Sequence, residues 1–476
     1  MILQFLRSKI TEIQRARSYS GALCGHIENQ FEINLLFLGE RLVFYIFFCY
    51  NDLNKQYRIF SAINIRIFRG GNVMKKQIDI GSMYGIREEY LAKGLIKEIP
   101  EVDYKNYIAH GQNLMFLTVV WGNPTWEKIF KDALAMCEKY NIRVIIHDNV
   151  MNAKGLDLTE EDVKNYTSYY KDSPVWIGNG FDDEPSPADY PRIQHTLETY
   201  LKVYPEKDTY VNLLPMYAAM FVFGEMDFTQ YIEDFAKTVT SADYICTDVY
   251  PLLQDNGKKY TYDEYLRSLD IQAQICRKYN KDFRIYVQSM EFGPNRCPDA
   301  ADFRFQCWVA LSFGCNTILH FCYDIVGGAY AQEPNSKRKK LPNWSAGRTV
   351  NMEIAAVSDV FMQYKNIGAF TYKTRRSPDY ADFDNEYEGF STIKDIKANE
   401  TVLIGCFDKI EGEGHAFTLV NLSELGEQKI ADVEFELDGA KKVTAYIKGL
   451  PVELVPVDGK YFTSLDCGEG IFVTVE

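Results

Sequence analysis

From Lys76 to about residue 366 the chain alternates two kinds of apolar pattern. Short, almost continuous apolar runs read as strands buried on both faces, and segments with apolar residues three and four apart read as helices. The runs are KQIDIGSMYG (76–85), LMFLTVVW (114–121), RVIIHD (143–148), PVWIGNG (174–180), TYVNLLP (209–215), DYICTDVYP (243–251), RIYVQSM (284–290) and TILHFCYD (317–324). Helical patterns lie between them. PTWEKIFKDALAMCEKY (124–140) has Pro124 suited to its first turn. PDAADFRFQCWVALSFG (298–314) is opened by Asp299 and closed by Gly314. Eight strands alternating with helices in just under 300 residues is the count and length of a (β/α)8 barrel. A doubly wound sheet would place a Gly-rich phosphate turn after its first strand, and MYGIREEY has none.

Past residue 395 the period becomes two. TVLIGCFD, HAFTLVNLS, DVEFELDG, KVTAYIKG, YFTSLD and GIFVTVE predict a small all-β sandwich. The expected organisation is a barrel over 74–368, a polar, aromatic connector over 369–394 and a sandwich over 395–476. Residues 1–73 include LVFYIFFCY, too short to span a bilayer. Met74 opens MKKQIDIGSMYG, which runs straight into the first barrel strand. The stretch 1–73 is therefore expected to be an upstream extension outside the fold, with a small extra helical or strand layer as the alternative.

Composition narrows the function. A net charge of −14 argues against nucleic-acid or anionic-membrane partners. Eleven cysteines, an odd number without zinc-like spacing, suggest free buried thiols in a reducing, cytoplasmic compartment. A secreted or periplasmic location is the alternative if the natural N-terminus differs. A homo-oligomer is left open.

In such a barrel function gathers where strands end. The residues there are Tyr84, Trp121, Asp148, Asp183 and Glu184, then Asp248, Tyr250, Gln288, Glu291, Tyr323 and Asp324. The set holds carboxylates, amides and aromatics, without a Cys–His pair, a phosphate loop or a His cluster. Glycoside hydrolysis needs such a set: a carboxylic acid to protonate the leaving oxygen, a second carboxylate, rings to stack on sugars, and no metal or other cofactor.

GFDDEP after the fourth strand and YVQSMEFG at the seventh resemble the clan-A retaining glycoside hydrolases, and the trailing sandwich resembles that of β-galactosidase-like members. The chain is also similar to bacterial barrels with a DEPS turn after strand four. The resemblance implies Glu184 as acid/base and Glu291 as nucleophile. It implies carbohydrate binding by Tyr84, Trp121, Asp148, Asp183, Asp248, Tyr250, Gln288 and Tyr323. Two positions depart from the pattern: Asp183 stands where Asn usually precedes the acid/base, and Tyr323 where a Trp usually ends strand eight. The competing expectations are a non-catalytic carbohydrate-binding barrel and an inverting glycosidase pairing Glu184 with Asp248 or Asp324.

Each residue also has a plainer reading. Glu184 could be a helix N-terminal acid, and Glu291 a solvated loop acid. Asp148 and Asp183 could serve ion pairs, and Trp121 and Tyr250 rim packing. His147 and His320, inside apolar strands, read as core groups rather than metal ligands. The SKRKK run (336–340) reads as a solvated loop.

Overall fold

The computed structural model describes residues 77–325, 328–329, 340–375, 377–383 and 389–476, together with strand segments 31–38, 41–52 and 55–66. The chain divides into two compact units, Met1–Met74 and Lys75–Glu476. In the first, Phe31–Leu38, Arg41–Asp52 and Lys55–Arg66 form a three-stranded antiparallel sheet. Residues 1–30 and 67–73 of the expected extension, and 336–339 of the basic run, lie outside the described residues.

The second unit opens with eight parallel strands: β1 (Asp79–Ser82), β2 (Leu114–Val119), β3 (Arg143–Asp148), β4 (Trp176–Asp183), β5 (Asp208–Asn212), β6 (Tyr244–Thr247), β7 (Asp282–Gln288) and β8 (Cys315–Phe321). They pair in the order β5-β4-β3-β2-β1-β8-β7-β6. The ring closes where Leu213, just past β5, bridges Thr247 and donates its N–H to the Cys246 carbonyl at 2.9 Å. The α/β barrel expected from the strand count is present. Close approach between strands requires small residues, and a Cβ on Gly178 of β4 would run into the Asp208 carbonyl of β5.

Helices α1 (Glu88–Ala92), α2 (Glu101–Ala109), α3 (Pro124–Tyr140), α4 (Asn149–Lys154), α5 (Glu160–Thr167), α6 (Tyr190–Val203), α7 (Phe228–Thr238), α8 (Tyr265–Tyr279), α9 (Ala300–Ser312) and α10 (Pro342–Phe361) fill the crossovers. Local signals start several of them. The Asn123 side chain accepts the Thr125 N–H at 3.1 Å ahead of Pro124. Capping boxes open α5 (Thr159/Asp162), α7 (Asp227/Gln230) and α9 (Asp299/Asp302), each satisfying backbone donors the first turn leaves open.

The C-terminal part has nine antiparallel strands: β9 (Tyr364–Tyr372), β10 (Ile393–Ala398), β11 (Val402–Lys409), β12 (His415–Asn421), β13 (Ala431–Leu437), β14 (Val443–Ile447), β15 (Leu450–Glu453), β16 (Tyr461–Leu465) and β17 (Gly470–Val475). Six form one sheet, β9-β11-β12-β17-β14-β15, and three form the other, β10-β13-β16. Strand β9 spans residues read from sequence as the barrel's end and the connector's start. Its inward residues alternate only over a short run before polar sequence follows, so period two is weak there.

The larger sheet is buried on both faces. One face carries Val402, Ile404, Cys406, Phe417 and Leu419 against Val433, Phe435 and Leu465 of the smaller sheet. The other carries Leu403, Phe407, Ala416, Val420 and Phe472 into the core of the barrel. Helix α9 is apolar on nearly every side, as a helix buried all round should be. Glycines let sheet and helix meet: a Cβ on Gly405 would collide with the Ser312 carbonyl, and one on Gly470 with the Trp308 ring. Thr418 Oγ1 bonds Ser312 Oγ at 2.7 Å, and Asn366 Nδ2 bonds the Ser312 carbonyl at 2.9 Å. Among the described residues no helix is long and apolar enough to cross a membrane.

Candidate active site

All eight barrel strands run in one direction, so their C-terminal ends open at one mouth. The acidic turn after β4 is pinned there by backbone groups. Glu184 has φ 51°, in the left-handed region that a non-glycine residue enters at a cost. Its N–H donates to the Asn212 carbonyl at 2.7 Å, and the Pro185 carbonyl accepts the Tyr231 hydroxyl at 2.8 Å. Tyr84, past the end of β1, also has positive φ, at 68°. The turn holds its carboxylates where an unconstrained chain would let them separate.

Three carboxyls crowd this turn. Asp183 accepts Asn212 Nδ2 at 3.0 Å, yet burial, with Asp182 beside it, pushes its pKa up. Glu184 is raised by burial and by the charge of Asp183, against a hydrogen bond with the Asp248 carboxyl. Asp248 is raised well above the usual carboxylate range by burial and then by Glu184. Its Oδ1 is buried without a hydrogen-bond partner among the described residues. Each of the three is pushed toward holding its proton, by burial first and then by a neighbouring carboxylate. Asp182 leaves the cluster: it ion-pairs with Arg192 and accepts the Asp183 N–H at 2.9 Å.

Aromatic rings border the acids. Tyr84 is 40% exposed, and its pKa is raised by burial and by Asp183. Tyr250 is buried against Phe292 and Phe321, both at 5.3 Å, and its pKa is raised by burial and then by Asp248. The barrel therefore brings Tyr84, Asp183, Glu184, Asp248 and Tyr250 into one neighbourhood.

The remaining candidates are placed differently. Asp148 is occupied: it accepts Trp121 Nε1 at 2.8 Å, Val150 N–H at 3.0 Å, Met151 N–H at 3.3 Å and Tyr170 OH at 3.4 Å. It caps α4 and anchors Trp121, whose ring lies 4.7 Å from that of Tyr169. Gln288 is also consumed. It holds both backbone groups of Leu252, the Arg296 carbonyl at 2.6 Å and Asn295 Nδ2 at 3.1 Å, and so ties two loops together. Tyr323 is buried, its hydroxyl accepting Trp344 Nε1 at 3.3 Å. Asp324 is buried in an ion pair with Arg87 at 3.2 Å. Burial raises its pKa to about 7 against the pull of the guanidinium.

Glu291 is exposed on the loop after β7. Its charge raises the Cys297 thiol, after burial, and it is not among the charges acting on Glu184. The two histidines behave as core groups. Burial lowers both to about 4, and Gly180 leaves room for the His147 ring. No group of three or more His, Cys, Asp or Glu among the described residues could hold a metal ion.

Three residues join the site beyond those expected. Asn212, at the end of β5, orients Asp183. Tyr286, buried in β7, lies within the fields of Asp183, Asp248 and Tyr84. Tyr217, 46% exposed, donates its hydroxyl to the Asp248 carbonyl at 3.2 Å, and its pKa is raised by burial and by Asp248 and Glu184. Asn212 was accessible to the strand-end rule. Tyr217 sits in a loop where no pattern marks it.

No family model matches the chain, and no curated protein matches it. Solved structures do. A glycoside hydrolase aligns over 84% of this chain and 92% of its own, with 10% identity and a TM-score of 0.50. A glycoside hydrolase family 5 protein from Bacteroides vulgatus aligns over 84% and 89%, with 10% identity and a TM-score of 0.49. An α-amylase from Anoxybacillus aligns over 84% and 98%, with 9% identity and a TM-score of 0.46. At such identity the first of these shows a likeness of fold alone.

Proposed function

We propose that the chain hydrolyses O-glycosidic bonds of an oligo- or polysaccharide, with Glu184 as the proton donor. The observation that carries this reading is the crowding of Asp183, Glu184 and Asp248 at the barrel mouth beside exposed tyrosine rings. A general acid must keep its proton near neutral pH, and burial together with Asp183 acts on Glu184 in that direction. Tyr84 and Tyr217 offer faces on which a sugar ring can stack.

In the retaining scheme Glu184 protonates the leaving oxygen while Glu291, assigned by its place after β7, attacks the anomeric carbon. Glu184, now a carboxylate, takes a proton from water as that water cleaves the glycosyl ester. This attack requires the exposed Glu291 carboxylate at the mouth. The contact of Asp248 with Glu184 favours a second reading. There Asp248 activates water and the anomeric configuration inverts. Inverting pairs stand ~6.5–9.5 Å apart, so the two carboxyls must part to admit substrate and water.

Alanine variants separate the schemes on an activated aryl glycoside. In the retaining scheme Glu291→Ala loses nearly all turnover, and azide yields a glycosyl azide of inverted configuration. Glu184→Ala spares the first step, and azide yields the retained product. Unactivated substrates slow by roughly 10²–10⁴-fold without the acid. An inverted wild-type product, with Asp248→Asn dead and Glu291→Ala active, selects the second reading. Near wild-type turnover by Glu184→Ala on an unactivated sugar would refute both.

A further inference from the structure

The smaller sheet of the sandwich, β10-β13-β16, turns Val433, Phe435, Tyr461 and Leu465 inward. Its other face points away from the larger sheet, and hence away from the barrel. Register aligns the outward residues in two rows across the three strands. Lys397 pairs with Glu434, and Glu434 with Phe462. In the next row Asn399 Oδ1 accepts the Asp432 N–H at 2.7 Å, and Asp432 pairs with Ser464, whose hydroxyl bonds the Asp432 carboxylate at 2.6 Å.

These residues line a groove of about 780 Å³. That lies within the range of small-molecule sites, roughly 300–1,000 Å³. Phe462 is 52% exposed there, an aromatic ring set among an amide, a hydroxyl and carboxylates on a solvent face. Asn399, Asp432 and Ser464 hold one another at the surface of the sheet. Charge also selects. Of the residues that line the groove, Lys397 is the cation and Asp432 and Glu434 are the anions, with Glu434 in an ion pair with neighbouring Lys460. A lining with that slight negative balance disfavours a polyanion. It suits a neutral ligand with one apolar face and a rim of hydroxyls, which is the chemistry of a pyranose ring.

We propose that this groove is a second, non-catalytic binding site for a neutral glycan chain, with Phe462 as its stacking platform. The site does not depend on the barrel being a hydrolase, because binding is read without turnover. The test is native-gel electrophoresis of the full chain carrying Glu184→Gln, in gels cast with soluble starch, galactomannan, xyloglucan or mixed-linkage β-glucan. At least one polysaccharide is expected to retard the protein. Phe462→Ala should weaken that retardation at least tenfold, while Phe462→Tyr, which keeps the ring, restores it. In the otherwise wild-type chain Phe462→Ala should leave turnover of a small aryl glycoside unchanged. Three results would overturn the proposal: no retardation by any of the four polymers, retardation that Phe462→Ala does not reduce, or retardation only by an anionic polymer such as pectate. Self-association through this face that Phe462→Ala abolishes, without glycan retardation, would also overturn it and identify a second copy as the occupant.

Discussion

Glu88 offers a measurement of how the barrel treats a carboxyl it cannot solvate. It opens α1 just past Tyr84, buried within reach of Tyr104 and Cys137, and a Cβ on Gly85 would strike its carboxyl. Its Oε1 has no hydrogen-bond partner among the described residues. Burial raises its pKa from 4.5 to about 8, against a backbone hydrogen bond from Thr118. The sign follows from linkage. The unfolded chain gives up this proton near pH 4.5 and the folded chain near pH 8, so the folded state binds the extra proton between them. Stability is therefore fully present below pH 4.5 and is lost as pH rises to about 8. At about 1.4 kcal/mol per unit the loss approaches about 5 kcal/mol. Glu88→Gln keeps the shape and removes the titration. It should match the wild type within about 1 kcal/mol at pH 5 and exceed it by about 3 kcal/mol or more at pH 8. Urea denaturation of both proteins at half-unit steps supplies the comparison. Parallel pH profiles for the two proteins would refute the reasoning, since they would mean that the folded carboxyl ionises normally.

Two further expectations concern the mouth and the wall of the barrel. Asp183→Asn removes a negative charge that holds the proton on Glu184, so the alkaline limb of kcat/KM should move to lower pH; an unmoved limb would remove Glu184 from the role of acid. Gly178→Ala should cost several kcal/mol, about 3 or more, because its Cβ meets backbone rather than a movable side chain. Gly426→Ala, where the added carbon meets nothing within 4 Å, is its control, and equal melting temperatures for the two variants would contradict the close approach of β4 and β5.

The barrel was legible because each of its strands is a short apolar run between helices with their own start signals. Asp299 declares its helix through a side chain that caps it in the structure, and Pro124 stands in the first turn of its own. The strand-end rule located Asp183, Glu184 and Asp248, since parallel strands must deliver their ends to one mouth. It could not tell a carboxylate facing the mouth from one spent on architecture. Asp148 and Gln288 are polar residues at strand ends like the others. Yet four donors converge on the first, and two loops close over the second. Those partners come from segments up to 36 residues distant, a separation that periodicity does not reach. Tyr217 illustrates the converse, a loop residue whose position depends on how the chain leaves β5.

The sheet buried on two sides bears on where this polypeptide can be cut. A shortened protein ending near residue 368 would strip α9 of its cover and expose Trp308, together with the other apolar side chains that now meet Leu403, Phe407 and Phe472. Such a fragment would aggregate rather than stand as a free catalytic module. The intact 75–476 unit should resist limited proteolysis at the junction, and its barrel and sandwich should melt together, behaving as one heritable block rather than two interchangeable parts.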